Sequence, residues 1–255
     1  MLVNGNIAVV TGGGSGMGAE TAQHLAKAGA RVAVLDRDLA SATKVAQEID
    51  GLAITCDVAS DSSATMAVQE IINKWSAPRI CVNCAGIISA QTMVKKDGAS
   101  MPLEDFSRVI HVNLIGTFNM MRLIAAEMSK LAPIGDSQER GVIINTASIA
   151  AFEGQIGQMA YSASKGGVAA MTLPAARELA RFGIRVLAIA PGLIATPMLH
   201  GLPDNIRESL ASEIPFPKRF GEPAEFAKLV LHIIDNAMLN GTVIRLDGAL
   251  RLAPK

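Results

Sequence analysis

The chain contains one tyrosine, Tyr161, and a lysine, Lys165, stands four residues beyond it. Residues at that spacing share a helix face. An ammonium a few ångströms from a phenol favours the phenolate, so the pair is expected to bring the phenol below its ordinary value of ~10. A phenol drawn toward neutrality is a usable general base for an alcohol proton. The alternative is a helix-surface Tyr–Lys pair with no chemistry. Ser148 favours the chemical reading: it closes the apolar run GVIINTAS, where its hydroxyl is placed to donate to a substrate oxygen.

A second group of residues is suited to a nucleotide. Thr11-Gly12-Gly13-Gly14-Ser15-Gly16-Met17-Gly18 follows an apolar run and opens a helical stretch. Glycines let the backbone turn tightly and approach a pyrophosphate, and a helix N-terminus offers free N–H groups and partial positive charge. The spacing is G-x-x-x-G-x-G on Gly12, Gly16 and Gly18 rather than G-x-G-x-x-G, and the lysine of a P-loop is missing, which disfavours an NTPase. A purely structural tight turn is the alternative. Asp36 ends the second apolar run, eighteen residues after Gly18. A carboxylate there can accept from ribose hydroxyls and would repel a 2′-phosphate. It could instead simply cap the next helix, and Arg37 beside it could accommodate a phosphate. Asp57-Val58 follows the third run and would flank an adenine. Cys84-Ala85-Gly86 and Pro191-Gly192 close the fourth and sixth runs.

The elements that must position these residues alternate. Strands are expected at Asn6–Val10, Arg31–Asp36, Leu52–Cys56, Arg79–Cys84, Gly141–Thr146, Ile184–Ala190 and Thr242–Leu246. Helices are expected at Gly18–Ala28, Ala40–Ile49, Ser62–Trp75, Leu103–Lys130, Ala160–Arg181 and Ala224–Asp235. Nearly continuous apolar strands such as IAVV and VLAIA belong to parallel sheets covered on both faces. The alternation argues for a doubly wound α/β sheet with right-handed crossovers, in a single domain over residues 1–255. If the strand order is 3-2-1-4-5-6, the first and fourth strands flank the switch point where such sheets bind ligands. Two polar or proline-rich segments, Ser89–Pro102 and Gly192–Pro223, follow strand ends and are expected to be binding loops. Pro174 inside a helix should cost about 3 kcal/mol or force a kink.

Composition narrows the function classes. Half of the 255 residues are hydrophobic, and 23 basic residues balance 23 acidic ones. Disorder is excluded, and no overall basic field exists to gather nucleic acid. No apolar run approaches the ~20 residues of a membrane span. The N-terminus does not read as a targeting peptide. The cytoplasm is the expected location, or the mitochondrial matrix where a transit peptide has been removed. Cys81 and Cys84 form a C-x-x-C, but on a strand residues three apart face opposite sides, so a redox or zinc role is disfavoured. The four histidines make no metal spacing, and no metal is expected.

TGGGSGMG, NCAG, Ser148, Tyr161-Ser-Ala-Ser-Lys165 and Pro191-Gly192 together resemble the short-chain dehydrogenase/reductases over nearly the whole chain. The resemblance implies a Rossmann-like sheet of seven parallel strands in three αβα layers. It also implies a catalytic tetrad of Asn113, Ser148, Tyr161 and Lys165. Tyr161 would exchange the proton and Ser148 would orient the substrate oxygen. Lys165 would bind the nicotinamide ribose, and Asn113 would hold a water linking Lys165 to solvent. Thr196 would touch the nicotinamide amide. The segments AFEGQIGQMAYSASKGG, MTLPAARELA and PFPKRFGEPAEFA resemble the type II 3-hydroxyacyl-CoA dehydrogenase branch, which includes the type 10 17β-hydroxysteroid dehydrogenase. That branch implies NAD-dependent oxidation of an L-3-hydroxyacyl-CoA, 2-methyl-branched ones included. It also implies a homotetramer built near Leu103–Lys130 and Ala160–Arg181, with Gln155 and Gln158 beside the substrate. Lys95-Lys96-Asp97-Gly98 would form an extra loop near the mouth, and the acyl end would lie under Leu193–Leu202. The alternatives are a hydroxysteroid or other secondary-alcohol dehydrogenase, and a dinucleotide-bound scaffold subunit without turnover. A biosynthetic 3-oxoacyl reductase using NADPH is disfavoured by Asp36.

Overall fold

Seven of the apolar runs become strands: β1 (Ile7–Thr11), β2 (Arg31–Asp36), β3 (Leu52–Thr55), β4 (Ile80–Asn83), β5 (Gly141–Thr146), β6 (Ile184–Pro191) and β7 (Val243–Leu246). The computed structural model describes residues 1–196 and 204–254. The strands form one sheet in the order β3-β2-β1-β4-β5-β6-β7. Every neighbouring pair is parallel, with Val9 opposite Ala33 on one side and Cys81 on the other. This is the doubly wound, Rossmann-like architecture expected from the alternation.

Alternate side chains of each strand feed two cores. Ile7, Val9, Leu35, Cys81 and Ile143 pack on one face beneath α3 (Asp61–Lys74), α5 (Gly116–Met128) and α6 (Met159–Leu179). Ala8, Val10, Val34, Val82 and Ile144 pack on the other beneath α1 (Gly16–Lys27), α2 (Leu39–Glu48) and α8 (Pro223–Asp235). Fully buried side chains such as Leu25, Leu35 and Phe226 each contribute roughly 1.5–3 kcal/mol. Cys81 lies in the first core and Cys84 against the second. Burial pushes their thiols up to about 12 and about 11, so the C-x-x-C carries no thiolate chemistry at neutral pH.

The structure departs from the sequence reading in several places. The long helix expected from Leu103 is α4 (Leu103–Ile110), a π-helical turn at His111–Ile115, and then α5. Taken together, Leu103–Met128 is long and apolar enough to pass for a membrane span, yet half of its most apolar window is buried in this fold. The segment after β6 contains a helix, α7 (Asp204–Ser212), and Ile194 bridges to Gly221. Its residues 197–203, which include most of the expected acyl roof, lie outside the described residues. As expected, Pro174 lies inside a helix, since α6 runs through it from Met159 to Leu179. The polar insertion after β4 closes on itself through a Val94–Ser100 bridge.

Candidate active site

The strand order places the divergence of the chain between β1 and β4, and the loops leaving these two strands touch. Gly12 has φ +62°, and a Cβ there would lie 2.8 Å from the Ala85 backbone. A Cβ on Gly18 would collide with the Gly12 carbonyl oxygen. Both positions therefore require glycine. Thr11 Oγ1 accepts from the Ala85 N–H at 3.2 Å and is 1% exposed. It fastens the two loops from beneath and does not line the cavity. The N-cap of α1, Ser15, makes no side-chain cap bond. The first N–H groups of α1 therefore remain free toward an anion.

A cavity of about 640 Å³ opens above this turn. It is lined at one end by Gly12, Ser15, Gly16, Met17, Asp36, Asp57 and Val58, and along its floor by Cys84, Ala85 and Gly86. Ser148, Tyr161, Lys165, Pro191, Gly192 and Thr196 line the other end. Every cofactor residue expected from sequence except Thr11 is thus brought to one place. Asp36 is held by two backbone donors, Gly14 N–H to Oδ2 at 3.0 Å and Asp38 N–H to Oδ1 at 3.1 Å. Each oxygen keeps a lone pair for a ribose hydroxyl. The glycine cradle, the free helix end and the fixed carboxylate fit a dinucleotide.

At the other end the four tetrad residues come from three elements, the π-helical turn, the end of β5 and α6. The π-helical turn presents Asn113, fully buried; such turns occur often at functional sites. Its Nδ2 donates to Ile87 O at 2.9 Å and Ser164 Oγ at 3.0 Å, while Oδ1 accepts from Ile87 N–H at 2.8 Å. Asn113 thus ties the β4 loop to α6. Its main-chain carbonyl accepts from Thr117 Oγ1 at 2.7 Å. Both amide hydrogens are engaged, so a water held by Asn113 can only donate to it. Ser148 follows β5, and its Oγ accepts from Ala150 N–H at 3.1 Å, so its own hydrogen is free of that contact and can serve Tyr161 or a substrate oxygen.

Lys165 is 4% exposed, and its Nζ donates to the Thr146 carbonyl at 2.7 Å. Burial pushes its ammonium down to about 8, opposed by nearby Cys84. It lies 5.8 Å from the centre of the Tyr161 ring. Burial raises the Tyr161 phenol above its ordinary value, and hydrogen bonding with Ser148 opposes this. The expected depression of Tyr161 by Lys165 is therefore absent in the protein alone. Desolvation outweighs an ammonium that is itself buried and committed to a carbonyl.

Gln155 and Gln158 are not brought to the cavity. They bond each other, Gln158 Nε2 to Gln155 Oε1 at 3.2 Å, and Gln155 Nε2 donates to Ala253 O. Lys95 and Lys96 are exposed and lie outside the lining. The cavity wall also includes Arg108, Val112 and Ile88, none of which sequence reasoning singled out as site residues, together with Leu193 and Ile194, the first residues of the expected acyl roof. Arg108 and Val112 stand four apart on the helix leading to Asn113, a periodicity that could have revealed them. Among the described residues no cluster of metal-ligating side chains occurs.

A dinucleotide cradle joined to a Ser–Tyr–Lys group in one cavity defines the class of nicotinamide-linked dehydrogenases acting on a hydroxyl or carbonyl carbon. The sequence matches the short chain dehydrogenase family over residues 6–207, and the chain belongs to that family. It is 51% identical over 255 residues to 3-hydroxyacyl-CoA dehydrogenase type-2 of Bos taurus, covering 99% of this chain and 97% of that one. The crystal structure of 3-hydroxyacyl-CoA dehydrogenase type-2 from Mycobacterium avium superposes with a TM-score of 0.93 at 38% identity, covering 99% of each chain. A 3-ketoacyl-(acyl-carrier-protein) reductase from Brucella melitensis, complexed with NADH, superposes with a TM-score of 0.85 at 30% identity, covering 98% of this chain and 100% of that one.

Proposed function

We propose that the protein oxidises the hydroxyl of an L-3-hydroxyacyl-CoA, including 2-methyl-branched ones, to the 3-oxoacyl-CoA, with NAD as hydride acceptor. The observation that carries this reading is the single cavity holding Asp36 and the glycine turn at one end and Ser148, Tyr161 and Lys165 at the other. The substrate class is supported by the likeness to relatives named for that activity. NAD, when bound, accepts hydride at nicotinamide C4. Ser148 donates to the substrate oxygen and holds it against Tyr161. Tyr161 takes the hydroxyl proton as general base. Lys165 holds the nicotinamide ribose and adds positive charge beneath the phenol. Asn113 keeps Gly86 and Ser164 in register around Lys165.

We also infer a homotetramer. Leu103, Ile115 and Phe118 on α4–α5 and Leu173 on α6 are exposed large apolar side chains, which supports burial between copies. Cys56, Cys81 and Cys84 are free, which suits a reducing compartment, and we place the protein in the cytoplasm.

The test is steady-state turnover of purified protein on short- and branched-chain L-3-hydroxyacyl-CoA esters and on a secondary steroid alcohol, each with NAD and NADP. Turnover of the acyl-CoA esters with NAD is expected. Turnover of the steroid alone would transfer the assignment to a hydroxysteroid dehydrogenase, and no turnover despite NAD binding would favour a scaffold.

A further inference from the structure

Ser148 and Tyr161 belong to different elements, and the chain between them makes no strand or long helix: a single 3-10 turn at Ile149–Ala151 is followed by loop to Gln158. The relative position of the two catalytic hydroxyls depends on what holds that loop. Its outer half is held by the carboxy-terminal segment. Arg245, on β7, grips Glu153 with both terminal guanidinium nitrogens, Nη1 to Oε1 at 2.8 Å and Nη2 to Oε2 at 2.9 Å. The same guanidinium lies over the Phe152 ring at 5.4 Å. Its Nε donates to Asp247 at 2.6 Å. Asp247 in turn abuts the opposite wall of the cavity: a Cβ added to Gly192 would lie 2.9 Å from Asp247 Cβ. Farther along, the Ile156 N–H donates to Pro254 O at 3.0 Å and Gln155 Nε2 to Ala253 O at 3.1 Å.

We propose that Arg245 and the terminal segment through Pro254 form a brace that fixes the Ser148–Tyr161 loop against the Gly192 wall, making Arg245, Glu153 and the tail backbone positioning elements for catalysis. A planar fork gripping a carboxylate fixes direction as well as distance, which a lysine cannot do. Residues 253 and 254 are exposed, so they supply little core, and two hydrogen bonds join them to the loop.

The brace rests, for its kinetic consequence, on the activity proposed above; its structural consequence is measured without substrate. The variants are a chain ending at Leu252, Glu153→Gln, Arg245→Met and Arg245→Lys. Hydrogen–deuterium exchange across Ile149–Gln158 is expected to quicken about tenfold or more in the shortened chain, with the β1–β6 amides unchanged. With NAD and an L-3-hydroxyacyl-CoA, kcat is expected to fall about tenfold, because small misplacements of reacting groups are costly. KM for NAD should stay within about twofold, and Arg245→Lys should fall between wild type and Arg245→Met. Unchanged exchange in the shortened chain overturns the brace. Faster exchange with an unchanged kcat overturns its positioning role, since a merely structural tail would move the melting temperature alone. Wild-type protein assayed alongside separates the two ideas: its failure to turn over acyl-CoA overturns the activity, while exchange still decides the brace.

Discussion

Replacing Asp36 by asparagine should move cofactor preference from NAD toward NADP. The carboxylate is held in place by the Gly14 and Asp38 N–H groups, so it cannot swing away from a 2′-phosphate. A unit charge about 4 Å from another costs about 1 kcal/mol in water and about 4 kcal/mol at the effective dielectric of a protein surface. Asp36 is half-buried at the cavity wall, between those limits, so relief of repulsion should improve kcat/KM for NADP roughly tenfold to a hundredfold. The amide keeps one acceptor for the Gly14 N–H but loses charge-assisted bonds to the ribose hydroxyls. Such bonds contribute about 1.5–3 kcal/mol, so kcat/KM for NAD should fall about tenfold to a hundredfold. Initial rates with both cofactors at low ionic strength give the ratio directly. Arg37 lines the same end of the cavity, and Arg37→Ala added to Asp36→Asn should remove part of the NADP gain. Wild-type protein that uses NADP as well as NAD would refute the reasoning, as would a ratio that Asp36→Asn leaves unmoved.

Three further outcomes follow from the same geometry. Lys165 is held down to about 8 by burial, against 10.5 for a free lysine; the unfolded chain binds the extra proton between these values, so stability rises with pH across that window. Urea unfolding of cofactor-free protein at pH 7.5 and pH 10 should show wild type gaining up to about 3 kcal/mol relative to Lys165→Met, and a loss would contradict the buried ammonium. Because Tyr161 is the sole tyrosine, tyrosinate absorbance titrates it alone: ionisation should lie above the ordinary value in free protein and fall when NAD is bound, and a titration unmoved by NAD would count against the pair as a proton-transfer unit. Exchanging exposed Lys95 and Lys96 for glutamate should raise KM for an acyl-CoA several-fold at low salt with kcat unchanged; equal KM values would remove this loop as the contact for the CoA phosphates.

What the sequence made legible was mostly what a local pattern determines. The runs IAVV, RVAVLD and GVIINT are apolar on both faces, and only a sheet covered on both sides accommodates them, so β1, β2 and β5 sit within a residue of their expected bounds. Gly12, Asp36, Ser148, Tyr161 and Lys165 were found because a turn, a strand end or a helix repeat constrains each one. The rest depends on distant partners. The π turn at Asn113 reflects how α4–α5 packs on α6 and the β4 loop, which no i+4 pattern encodes. Thr11 reads like its glycine neighbours until Ala85, 74 residues away, is seen to donate to it. Gln155 and Gln158 look poised for substrate by resemblance, yet bond each other and the tail. The Tyr161 shift reversed because helical spacing tells the distance to Lys165 but not the depth at which both are buried.

Tyr161 is the base in the proposed NAD-dependent oxidation, and Tyr161→Phe tests this most directly. The substitution keeps the ring and removes only the hydroxyl. Turnover of an L-3-hydroxyacyl-CoA should fall by about 10²–10⁴-fold or more, while NAD affinity, followed by fluorescence titration, and the melting transition stay near wild type. A variant that binds NAD and retains near-normal turnover would contradict the account.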